Sequence, residues 1–182
     1  EPQSTGVGGD LFALVWDNGA KKVYALNSSG RAGSGADRQF LLNLGHKAIE
    51  NTSIFAVTVP GAPRGWETLN ETFGRLSFGE TLNPAINYAQ EGFPVSEIIS
   101  RQWGNGVARL DPTGADQLLI DGRAPAPGQL FSNPNLAGVL TRIGEFGADD
   151  FYKGDTAELI ARYIQDKGGW VTKADLESHE SN

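Results

Sequence analysis

The sequence contains no cysteine and no methionine, and only two of its 182 residues are histidine. Without cysteine there is no disulfide, no thiolate nucleophile and no Cys-based metal site, and the compartment is left open. An opening at Glu1-Pro2-Gln3 without methionine is not a natural start, so the sequence reads as a fragment or a processed product. His46 and His179 fall at the end of an expected helix and near the end of the sequence, and neither has a His-Glu-x-x-His spacing. Both are expected on the surface, and no metal site is expected. There is no Gly-x-Ser-x-Gly elbow to anchor a serine triad. No apolar run approaches the roughly 20 residues of a membrane span. Basic residues are the minority, 15 Lys and Arg against 22 Asp and Glu, for a net charge of −7. That balance argues against a nucleic-acid partner.

What remains is the composition of an ordinary globular chain, 39% hydrophobic and long enough to bury a core. Leu11-Phe12-Ala13-Leu14-Val15-Trp16 is an almost unbroken apolar run and predicts a strand buried on both faces. Asp17-Asn18-Gly19-Ala20 is a turn signal, and Val23-Tyr24-Ala25-Leu26 returns as a second strand, so 11–27 reads as a β-hairpin. Residues 28–36 are a polar, glycine-rich loop. Helical spacing is expected over 37–49, followed by a short third strand at Ala56–Val59 that Pro60-Gly61 stops.

Further helices are predicted over 63–73 and 80–91, from Ser96 to about 109, after Asn133-Pro134, and from a cap at Asp155 to Gly168-Gly169. In the helix after Asp155, Leu159, Ile160, Tyr163 and Ile164 share one face. Thr172 caps a last short helix containing Leu176. Residues 121–128 read as a loop between helices, and 1–182 as one partial domain of α+β class, with a hairpin near its start and helices after it. If left uncovered, that hairpin would invite association through its apolar edge.

Few residues offer chemistry. Gly6-Val7-Gly8-Gly9-Asp10 precedes a strand, whereas phosphate loops follow one and open a helix. It reads as a tight turn where backbones approach closely. Asp149-Asp150 reads as a helix start rather than a catalytic dyad, because adjacent side chains on a helix diverge. Arg31 lies in the glycine-rich loop after the hairpin, where a guanidinium can grip a carboxylate with two parallel hydrogen bonds; the alternative is an exposed loop arginine. Arg64, between Pro63 and Gly65, poses the same choice against a salt bridge at a helix start. No catalytic constellation is complete within these residues.

One ordered set of segments goes further. It comprises Glu1-Pro2 through Gly9, Phe12–Val15, Val59-Pro60-Gly61 with Gly65-Trp66, Phe73–Phe78 and Asn83-Pro84-Ala85-Ile86. It continues with Gly122-Arg123-Ala124-Pro125, Asn133-Pro134, Phe151-Tyr152-Lys153-Gly154, Gly168-Gly169 and Asp175-Leu176. This set resembles the large-subunit region of the γ-glutamyltransferase family of self-processing amidohydrolases. The resemblance implies part of an N-terminal-nucleophile hydrolase fold, a four-layer αββα sandwich. It implies a precursor that cuts itself and frees a threonine at the start of a small subunit, which attacks a γ-glutamyl amide and needs no cofactor. On this alignment neither Thr5, Thr58 nor Thr172 is that threonine, so the small subunit is the expected partner and these residues alone are expected to be inactive.

One departure stands out. Where typical members carry Arg-Glu-x-Ala-Pro, with the arginine on the glutamyl α-carboxylate, the sequence here is Leu26-Asn27-Ser28-Ser29-Gly30-Arg31-Ala32-Gly33. The arginine comes about two places later and glycine replaces proline. The resemblance therefore makes Arg31 the substrate-binding candidate and points to a divergent branch. An acylase for other amides and a binding-only relative are the alternatives.

Overall fold

The computed structural model describes Ser4 and residues 6–182. Glu1, Pro2, Gln3 and Thr5, which open the resemblance above, lie outside the described residues. The chain divides into two compact units, one of Val7–Arg75 with Phe146–Asn182, the other of Leu76–Glu145 with Ser4 and Gly6.

The first unit starts with the expected hairpin. Strands β1 (Leu11–Asp17) and β2 (Lys22–Ser28) pair antiparallel in a register running from Leu11 opposite Ser28 to Asp17 opposite Lys22. Asp17 closes the turn, its Oδ1 accepting from Gly19 N at 2.7 Å. The strand expected to be buried on both faces is covered on one. Phe12, Leu14, Trp16 and Val23 are 69%, 78%, 57% and 53% exposed. The physical reason is that α2 (Ala62–Phe73) packs against β1 and β2 from one side only. Gly65 of that helix lies against the hairpin, where an added Cβ would come within 2.9 Å of the Ser28 side chain. On the free edge of β2, Asn27 and Asn182 exchange two backbone hydrogen bonds of 2.7 and 2.9 Å, the reciprocal pattern of an antiparallel pair.

Further expectations are corrected in this unit. Helix α1 runs only from Arg38 to Asn43, because the chain turns at Leu44 into Gly45 with φ of +83°, a conformation that favours glycine. The third strand at 56–59 is a single bridge between Ala32 and Thr58, preceded by a 3₁₀ turn over Ile54–Ala56. In α8 (Asp155–Asp166), Asp155 is the first helical residue and Gly154 the cap. Its buried side is Ala157, Ala161 and Ile164, while Leu159 is 56% exposed. Small residues face inward there because α8 packs closely on α7 (Ala148–Lys153) and α9 (Lys173–Glu177). Helix α7 opens with Asp149 and Asp150 in its first turn, as the helix-start reading requires, where carboxylates complement the helix dipole. Thr172 caps α9 in a reciprocal capping box with Asp175.

The second unit is helical. Helix α3 (Phe78–Glu91) begins in a capping box of Ser77 and Glu80. Ser96 caps α4 (Glu97–Gly106), which gives way to a 3₁₀ turn over Val107–Arg109. Helix α5 (Pro112–Leu118) follows, capped by Asp111. The short strands β3 (Phe93–Pro94) and β4 (Leu130–Phe131) pair antiparallel, and α6 (Pro134–Phe146) starts where Asn133 Oδ1 accepts from Leu136 N at 3.0 Å. One core cluster of this unit is Val95, Trp103 and Phe131, with the two rings edge-on at 4.7 Å. No helix among the described residues is long and apolar enough to cross a membrane.

Candidate functional site

The polar groups of the first unit converge where β2 ends. Ser28, fully buried, donates to the Gly61 carbonyl at 2.6 Å and accepts from the Ser181 hydroxyl at 2.8 Å. His179 Nε2 lies 3.5 Å from the same oxygen, and the imidazole is tilted over the Tyr152 ring at 5.3 Å. His179 is only 7% exposed, so its expected place on the surface is corrected. The residues Leu176 and Tyr152, both 0% exposed, explain why: they close the space around it. Burial, together with the positive charges of Arg64 and Arg31, pushes the imidazole pKa below its ordinary value, with Asp10 opposing. His46 is exposed, as expected, and meets Phe55 edge-on at 6.0 Å.

Arg64 has the structural role. It pairs with Glu67 and with Asp149, both at 2.5 Å, and lies over the Tyr152 ring at 5.0 Å. Glu67 also accepts from Ala148 N at 2.7 Å, and Tyr152 donates to the Pro60 carbonyl at 2.7 Å. Burial pulls the guanidinium pKa down, but the two carboxylates outweigh it and raise it. Asp149, hydrogen-bonded to Lys153 and Arg64, is held below the usual carboxylate range. Burial of the Tyr152 hydroxyl raises its pKa. This network bolts α2 to α7 and engages both terminal nitrogens of Arg64 with carboxylates of the chain.

Arg31 is different. It is exposed, and no ion pair or side-chain hydrogen bond among the described residues engages its guanidinium. Its loop is held firmly. The Arg31 carbonyl accepts from Val59 N at 3.0 Å. A Cβ at Gly30 would fall 1.4 Å from the Val59 carbonyl oxygen, and one at Gly33 would fall 2.4 Å from that of Trp170, so both positions exclude any side chain. Asp10 Oδ1 accepts from Gly30 N at 3.0 Å, and Asp175 Oδ1 accepts from Ser34 N at 3.0 Å. For Asp175, burial raises the pKa, but hydrogen bonds from Thr172 and Ser34 outweigh it and hold the group below the usual range.

The glycine-rich segment before β1 is a turn, and the close approach expected there falls at one residue. The Gly9 carbonyl accepts from Gly61 N and Ala62 N, each at 2.9 Å. Gly6 and Gly8 face open space. Asp10 and Asp175 carried no chemistry signal in the sequence. The Gly30-x-x-Gly33 spacing around Arg31 was the one available hint of a tightly packed loop. Among the described residues there is no group of three or more His, Asp or Glu placed to hold a metal ion.

Comparison with known proteins finds similarity over the length of the chain. A family model described as Gamma-glutamyltranspeptidase matches residues 1–182. The chain is 38% identical over 181 residues to the glutathione hydrolase-like YwrD proenzyme of Bacillus subtilis, covering 98% of this chain and 34% of that protein. It is 34% identical over 188 residues to the oxamate amidohydrolase proenzyme of Klebsiella pneumoniae, covering 99% of this chain and 35% of that one. The crystal structure of a cephalosporin acylase from Bacillus halodurans superposes with a TM-score of 0.93 at 34% identity, over 100% of this chain and 35% of that one. The chain thus spans about a third of the length of these relatives.

Proposed function

Since the chain belongs to the gamma-glutamyltranspeptidase family and has its N-terminal-nucleophile hydrolase fold, we propose that it is a portion of the large subunit of a self-processing amidohydrolase that cleaves or transfers γ-glutamyl amides. The nucleophile is a threonine outside these 182 residues, freed at the start of the small subunit, whose own amine serves as base for its hydroxyl. Arg31 takes the substrate carboxylate, and the rest of this chain is framework. One observation carries the assignment: an unpaired, exposed guanidinium on a loop that two side-chain-excluding glycines and two carboxylates hold in place. A cation so placed gives up little loop freedom when it grips a carboxylate.

The exposed face of the hairpin supports the same reading. In an αββα sandwich one face of a sheet meets helices and the other meets a second sheet. Helix α2 is the helical side, and Phe12, Leu14, Trp16 and Val23 await the second sheet, from the remainder of the precursor. The 182-residue piece is therefore inactive alone.

A second reading keeps the fold and changes the acyl group. The departure at Leu26–Gly33 and the oxamate-named relative both favour it. Oxamate also carries a carboxylate, so Arg31 serves either substrate, and the two differ in how far that carboxylate lies from the reacting amide.

The test uses the full-length protein. Arg31→Ala is expected to raise KM for a γ-glutamyl anilide about ten- to a hundredfold, the scale of one lost charge-assisted hydrogen-bond pair. An unchanged KM overturns the role of Arg31. A higher kcat/KM for oxamate than for the anilide selects the second reading. Intact masses of the expressed protein test the rest: a fragment beginning with threonine is expected, and a single uncut chain points to a binding-only relative.

A further inference from the structure

Resting on the reading of Arg31 as the carboxylate contact, we infer that Asp10 and Asp175 are positioning residues, holding the Arg31 loop in its carboxylate-ready form before substrate arrives. Both acids come from elsewhere in the fold and reach the loop on either side of Arg31. Asp10, just before β1, takes the N–H of Gly30 at 3.0 Å; Asp175, in the first turn of α9, takes the N–H of Ser34 at 3.0 Å.

The second oxygen of Asp175 is committed to the cap of its own helix, accepting from Thr172 N and Thr172 Oγ1, each at 2.8 Å. That carboxylate is therefore fixed by α9, which is anchored by the fully buried Leu176. Its bond to Ser34 transfers the rigidity of α9 to the loop. The hydrogen bonds of the two acids go to the N–H groups of Gly30, Ser34 and Thr172 and to the Thr172 hydroxyl, not to the guanidinium. This arrangement leaves the charge of Arg31 available to an incoming carboxylate, while the loop that carries it cannot swing. A loop without these bonds would have to lose its conformational freedom at each binding event, and that loss would appear in affinity.

Kinetics of the full-length, processed protein on a γ-glutamyl anilide test this. Asp175→Asn leaves one acceptor oxygen for two tasks, and Asp10→Ala leaves none. Each is expected to raise KM about three- to thirtyfold, the range of coupling between residues in one network, with kcat nearly unchanged. In an Arg31→Ala background neither should raise KM further, because the acids act only through Arg31.

If Asp175→Asn unfolds α9, Ser34→Pro answers the question separately. Ser34 is the second residue of the turn closed by Ala36 N on the Gly33 carbonyl at 2.9 Å. Proline suits that position, removes both the N–H and the hydroxyl that Asp175 receives, and makes Asp175 Oδ1 withdraw from the ring, so it breaks this bond while both partners of the α9 cap, Thr172 and Asp175, stay in the sequence. It should reproduce the rise in KM. The inference is overturned if these variants lower only kcat or yield with KM unchanged, or if they raise KM by the same factor with and without Arg31. An effect of Arg31→Ala with silent aspartate and Ser34 variants overturns the inference alone. A silent Arg31→Ala overturns the underlying reading, and this inference with it.

Discussion

The two units of the chain hold themselves together differently. In residues 76–145 most polar contacts are local: Ser77 with Glu80, Asp111 with Gly114 and Asn133 with Leu136 are each three residues apart. The other unit is tied by polar contacts between distant segments. Ser34 meets Asp175, Ser28 meets Ser181, Glu67 meets Ala148 and Tyr152 meets Pro60. The electrostatics divide the same way. In the helical unit, the exposed Glu80 is lowered by hydrogen bonds from its own cap residue Ser77. In the other, burial shifts His179 and Tyr152, whereas Arg64, Asp149 and Asp175 are shifted against burial by neighbours on their own elements together with partners from distant segments, Asp149 for Arg64, Arg64 for Asp149 and Ser34 for Asp175. Local caps decide where helices begin. Long-range polar contacts hold a loop in one conformation, and the candidate site lies in the unit that has them.

Substitutions at glycine sharpen this contrast most. Gly30→Ala drives a Cβ into the Val59 backbone, which has no flexible end to yield. The expected loss is about 3 kcal/mol or more, the upper end of overpacking costs, read as a collapse of soluble yield and unfolding midpoint of the full-length protein. An alanine tolerated at wild-type stability would show that the loop is not packed as described.

The next effect is on pH dependence. The pKa of His179 is lower folded than unfolded, so the unfolded chain binds the extra proton first. Stability contributed by the neutral imidazole is present above the unfolded value of about 6.5. It is lost as pH falls through that value towards the folded one. Thermal unfolding of the full-length protein between pH 8 and pH 5 should show this slope, and His179→Phe, which retains a ring over Tyr152, should flatten it. An unaltered slope would assign the pH dependence to other groups.

The smallest effect is expected in the helical unit. Gly138 lies in α6 with open space where its Cβ would be. Gly138→Ala should stabilise by about 0.5–1 kcal/mol through helix propensity, seen as a slightly higher unfolding midpoint. Destabilisation would mean that this face of α6 is covered in the full-length protein.

Much of the architecture was legible from short-range patterns. The hairpin, the Ser96 and Thr172 caps and the acidic opening of α7 all depend on residues within a few positions of each other, so spacing alone reveals them. The 37–49 helix was read too long because its apolar spacing continues past Gly45, where a positive φ turns the chain. His179 was misplaced for a different reason: its ring is covered by Tyr152 and Ser28, which no local pattern connects to it.

The sequence by itself determined the family, the α+β class, the opening hairpin and most of the longer helices, because ordered motifs and local caps are written in adjacent residues. Only the tertiary structure decided that Arg64 is a bolt while the Arg31 guanidinium finds no partner among the described residues, and that Asp10 and Asp175 hydrogen-bond the loop on either side of it. Those roles depend on which distant carboxylate each group finds once the chain has folded, a choice made by packing and desolvation rather than by neighbours along the chain.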